Sequence, residues 1–160
     1  MNRVSSASRA HFFLVLALSI IWTPAAFART TIIDDSGSQA LEPAVTLRWK
    51  STAPPRNGRN NTMIGSMTLR VHLNVAPWLK KHAHIYLSLP AQPPGPISAR
   101  WTTQSRFAPG EVNSGNRVLI YSGPITAPFL EDVMSIQFSV EGGVVRRPFP
   151  VTLHYEMDED

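Results

Sequence analysis

Apolar and polar residues alternate along most of this chain. Val45, Leu47 and Trp49 stand between Thr46, Arg48 and Lys50, and the period of two predicts a half-buried strand with Trp49 on its inner side. A longer strand is predicted over residues 62–75, where Leu69, Val71, Leu73 and Val75 share one face and Arg70, His72 and Asn74 the other. Ala83, Ile85, Leu87 and Leu89 then point inward and His82, His84, Tyr86 and Ser88 outward, until Pro90, Pro93, Pro94 and Pro96 stop the run. Residues 97–104 form a fourth strand, with either Ile97, Ala99 and Trp101 or Ser98, Arg100 and Thr102 facing in. Residues 107–116 read as a loop, 117–122 as a short apolar central strand, 126–131 as a turn and 133–140 as a sixth strand. Glu141-Gly142-Gly143 turns the chain into a last strand, on which Phe149, Val151, Leu153 and Tyr155 fall on one face. With no amphipathic helix in this pattern, the fold class is all-β, a sandwich of six or seven strands.

Residues 1–28 read as a secretory signal peptide. Arg3 and Arg9 begin it, Phe12 to Trp22 form an apolar run too short to span a bilayer, and Ala26-Phe27-Ala28 ends it. The exported remainder is about 132 residues, enough for one domain with its own core. Residues 29–43 are polar and turn-rich and read as a flexible N-terminal arm, residues 44–155 as the sandwich and residues 156–160 as an acidic tail. Cysteine is absent, so neither disulfides nor thiolate chemistry contribute, and stability must come from the core or from a partner that completes it. The full chain carries a net charge of +4. Its positive charge suits anionic glycans, lipopolysaccharide or nucleic acid, yet no basic run exceeds Lys80-Lys81 or Arg146-Arg147, and no nucleic-acid partner is expected.

Gly143 followed twelve residues later by Tyr155, with alternating apolar residues between them, resembles the C-terminal pattern of chaperone–usher fimbrial subunits. The resemblance implies an immunoglobulin-like sandwich lacking one strand, held in the periplasm by a chaperone, passed to an outer-membrane usher and completed by the arm of a neighbouring subunit. Phe149, Val151, Leu153 and Tyr155 would then line or flank the partner-strand groove. The corresponding arm in the family is the donor strand; here Ile33 and Leu41 share a face with Asp35, Gly37 and Gln39. On this reading the chain is a minor or tip subunit of a fimbrium, exported through the periplasm to the cell surface. A host glycan or protein would be its receptor.

Other chemistry is thinly represented. His72, His82 and His84 are candidate metal ligands if their two strands pair, the alternative being histidines on a solvated face. No hydrolase elbow, zinc-protease helix or phosphate-binding glycine loop is present, and Asp34-Asp35 and Glu131-Asp132 read as solvating loop residues, so neither an enzyme nor a cofactor is expected. The rival to the fimbrial reading is a self-contained periplasmic or surface module. It would bind a glycan or other ligand through an exposed Trp78, with Tyr86, Lys80 and Lys81 beside it.

Overall fold

Two antiparallel sheets face one another across a single apolar core. The computed structural model describes residues 30–51, 62–93, 95–143, 145 and 147–159. The expected signal peptide and most of the loop after residue 51 lie outside the described residues. The strands are β1 (Thr30–Ile32), β2 (Gln39–Ala40), β3 (Arg48–Trp49), β4 (Thr62–Asn74), β5 (His82–Leu89), β6 (Ile97–Thr103), β7 (Gly110–Asn113), β8 (Asn116–Pro124), β9 (Phe129–Glu141) and β10 (His154–Glu159). One sheet has the order β1-β10-β5-β8; the other runs β2-β4-β9-β6-β7, with β3 also on β4. The all-β sandwich read from the alternation is what the chain forms.

Where one face of a strand meets the core, periodicity locates it well. In β5, Ala83, Ile85, Leu87 and Leu89 are buried, and in β6 Ile97, Ala99 and Trp101 are the inward set. β4 and β9 pair over thirteen residues, Thr62 opposite Glu141 through Asn74 opposite Phe129, and form the spine of the larger sheet. Gly115, with a φ of 85°, turns β7 into β8 and carries the chain from one sheet to the other, closing that side of the sandwich.

Several expectations need correction. The last strand spans His154–Glu159, not residues 143–155, and the expected acidic tail forms most of it. Pairing with β5 begins at His154 opposite Ser88, close to where β5 itself ends at Leu89 before Pro90. Tyr155 and Met157 are fully buried, while Glu156 and Asp158 turn outward to Arg117. The arm does not hang free: β1 pairs with β10 and β2 with β4. Trp49 is 51% exposed rather than core, because β3 sits on the outer edge of β4. The expected loop at 107–116 contains β7, and the expected turn at 126–131 already belongs in part to β9. β8 lies at the rim of its sheet and not at its centre, paired with β5 through a bulge at Ile85 and Tyr86.

Asp132, expected to be solvated, is the buried acid among the described residues. It lies on the inner side of β9. Its carboxylate accepts from the main-chain N–H groups of Gln104 (3.1 Å), Arg106 (2.6 Å), Phe107 (2.8 Å) and Val133 (2.7 Å), which folds the loop after β6 back over the core.

Candidate functional site

The side of the sandwich opposite the β7–β8 turn stays open. Between the rims of β4 and β10 lies an apolar groove of about 890 Å³. Val45, Leu47, Met67, Leu69, Phe138 and Val140 line it from the larger sheet and the chain crossing it, and Phe149, Val151, Leu153 and Tyr155 from the segment leading into β10. The four residues expected to line a partner-strand groove therefore stand together on one wall. Charge is confined to Asp35, Glu42 and Arg147. Sequence reasoning missed the opposite wall, although one signal was present: Gly65 in a strand of larger residues. A Cβ there would come within 2.5 Å of Val45 and 2.9 Å of the Thr46 carbonyl, so its absence lets residues 45–47 pass over the inner face of β4.

Both rims are covered by short segments and side chains rather than by one continuous strand, with β3 and the Lys50 N–H taking the start of β4. Along β4 the arm supplies the short ladder of β2, the Leu41 N–H to the Thr68 carbonyl, and two side chains in place of main chain. Ser38 Oγ accepts from the His72 N–H at 2.9 Å, and the Glu42 carboxylate accepts from the Thr68 N–H at 2.7 Å. Along β10, β1 covers residues 156–158 and the Ile33 N–H donates to the Tyr155 carbonyl at 2.8 Å. Farther back, the Gln92 amide bonds both main-chain groups of Thr152, accepting its N–H at 3.1 Å and donating to its carbonyl at 3.3 Å. In an extended chain successive residues turn their N–H and C=O to opposite sides. Were residues 149–153 as extended as β10, the alternation carried back from Tyr155 would direct the main chain of Leu153, Val151 and Phe149 to the open rim. The prolines at 148 and 150 would then fall on the other side, where their missing N–H takes nothing from that rim.

The outer face of β10 carries a polar clasp. The Arg117 guanidinium holds Asp158 through two bonds of 3.0 and 2.9 Å, reaches Glu156 at 3.3 Å and lies 4.2 Å above the Tyr86 ring; Thr30 Oγ of β1 donates to Asp158 at 2.7 Å. The hydrogen bond from Arg117 is the main reason the Asp158 carboxyl sits below its ordinary value of 3.8, with Thr30 contributing against the cost of burial. A carboxylate whose pKa falls on folding adds stability above the unfolded value and loses it as pH falls through the folded one. Denaturant midpoints of the natural chain should therefore drop below about pH 4. Asp158→Asn should be less stable at neutral pH, by about 1 kcal/mol for this half-exposed pair, and flatter through the acid range. Equal acid slopes in the two chains would refute the assignment. Burial, and after it the Asp35 carboxylate, pushes the Tyr155 phenol well above its ordinary value of 10, so Tyr155 is a neutral core residue at any physiological pH.

The other expected site residues are engaged elsewhere in the fold. Trp78 is 7% exposed, not open to solvent, because its indole N–H donates to Glu159 at 2.7 Å from inside a single 3₁₀ turn (Ala76–Trp78). Lys81 pairs with the same carboxylate at 3.1 Å, Tyr86 lies beneath Arg117, and the Lys80 N–H donates to the Ile125 carbonyl from a left-handed conformation. These four do not assemble a ligand face. The histidines do not converge either, since β4 and β5 belong to different sheets. His72 meets Glu131 at 2.7 Å and stacks on Phe129, while His82 and His84 stand 5.5 Å apart on the opposite sheet. Among the described residues no group of three His, Asp or Glu side chains is placed to hold a metal.

The chain matches no protein-family model, and no curated protein and no solved structure is significantly similar to it.

Proposed function

We propose that this chain is an exported structural subunit of a chaperone–usher type fimbria, a minor or tip component in adhesion, whose sandwich is completed by a strand from a neighbouring subunit. The observation that carries this reading is the open apolar groove between β4 and β10. It is lined mainly by apolar side chains and bordered by strand edges that side chains and short arm segments, rather than one full strand, cover. An extended segment laid along it would bury the apolar floor and pair with the rim together. A periplasmic chaperone would protect the same groove before assembly, and an usher would be the place of exchange. The rival ligand module gains no support from Trp78, Tyr86 and Lys81, whose side chains are engaged within the fold.

The test is the state of the chain on the cells that make it. Surface extracts run without boiling should show a ladder of multimers that collapses to one band on boiling, and antibodies to the chain should label surface fibres. A chain recovered only as a soluble periplasmic monomer would sink the proposal.

A further inference from the structure

We propose that residues 30–41 are a latch held in cis, which must leave the groove before a strand from another chain can occupy it fully; as a brake on assembly, the latch rests on the strand-complementation reading above. β1 lies antiparallel on β10, along the line that an added strand would follow. At Ile33 the chain abandons that line and crosses to β4, where Asp34 bridges Asn74 and the Asn74 N–H donates to the Asp34 carbonyl at 2.9 Å. A strand entering beside Phe149, Val151 and Leu153 therefore meets the Ile33 crossing at Tyr155. It gains the rest of β10 only by displacing β1.

The hold of this latch is small in kind and in extent. Ile33, 2% exposed, is the buried residue of the arm, whereas Ile32 and Leu41 are 65% and 55% exposed. The other attachments are the two short ladders, the Asp34–Asn74 bridge, the main-chain bonds of Ile33 to Tyr155 and of Leu41 to Thr68, the Ser38 bridge to His72 and the Thr30 bond to Asp158. Tethering makes up for this weakness, because a segment joined directly to its site acts at an effective concentration on the order of millimolar. A free neighbour at lower concentration competes poorly, so the isolated chain stays capped. Once an incoming strand is seated, the displaced arm is released. Acceptance of a strand and donation of the arm are thereby coupled in one order: a chain offers its arm after its own groove is filled.

The absence of cysteine allows a clean test. Thr30 and Asp158 are register partners, at a non-hydrogen-bonded position by alternation from the Ile33–Tyr155 bond. There Cα atoms lie about 4.5 Å apart, within the span of a disulfide. Thr30→Cys with Asp158→Cys, and separately Ile32→Cys with Glu156→Cys, would lock β1 in place in the full exported chain. The probe is a fluorescent synthetic peptide of residues 30–41 in about millimolar excess. Reduced chains should take up the peptide and their own arm should become cleavable by added protease. Oxidised chains should take up at least about tenfold less, with reductant restoring uptake. Equal uptake by locked and unlocked chains overturns the latch and leaves strand acceptance standing. Uptake without exposure of the arm overturns the coupling, and no uptake by any form overturns both the latch and the strand-accepting groove beneath it. Agreement between the two cysteine pairs separates locking from loss of the Asp158 clasp.

Discussion

A chain ended at Tyr155 should fail to accumulate as folded protein. The five residues removed supply most of β10, and with them the buried Met157, the Arg117 partners Glu156 and Asp158, and the Glu159 carboxylate that holds Trp78 and Lys81. β1 also loses the strand on which it lies. Burying one side chain of this kind contributes about 1.5–3 kcal/mol, and the lost strand pairing and ion pairs add to that. The total approaches the about 5–15 kcal/mol by which a whole domain is stable. Soluble yield and the near-ultraviolet circular dichroism of the truncated chain are the measurements. A truncated chain that melts cooperatively within a few degrees of the natural one would show that β10 is dispensable and that the sandwich closes at Tyr155.

Asp132→Ala should be the most damaging single substitution on β9. Four main-chain N–H groups share that carboxylate, and the one from Phe107 is buried. Each buried donor left without a partner costs about 1–3 kcal/mol, so a loss of about 3–5 kcal/mol and a fall in melting temperature of more than about 10 °C are expected. Asp132→Asn keeps the shape and one acceptor oxygen and should recover part of the loss. Glu131→Ala, next in sequence but on the outer face against His72, should change the melting temperature by no more than about 2 °C. The contrast between neighbouring acids tests the hydrogen-bond account, because removal of negative charge alone predicts equal effects.

The alternation of apolar residues was a reliable guide wherever a strand has one wet and one dry face, as in β5 and β6, and unreliable where polar atoms are satisfied within the protein. Asp132 reads as a loop acid because three of its four donors come from a distant loop. Trp78 reads as exposed because its partner, Glu159, is 81 residues away. Phe149, Val151, Leu153 and Tyr155 do share a wall of the groove, but the phase that groups them says nothing about pairing, and the end of β5 at Leu89 leaves the ladder to begin at His154. The segment with the clearest strand chemistry was masked by its charge: Tyr155 and Met157 alternate with acids that look like a soluble tail until Arg117 is placed opposite them. Similarly, the arm looks flexible because a single residue, Ile33, anchors it in the core.

The two ends of the closing segment are fastened by different chemistry. At Thr152 the fastening is a neutral amide, Gln92, which gains or loses no proton between stomach acidity and alkaline surroundings. At Asp158 it is an ion pair that weakens once the carboxylate takes up a proton. Acid should thus loosen this edge at Asp158 first, while the Gln92 fastening at Thr152 and the buried Tyr155 and Met157 keep the strand in register.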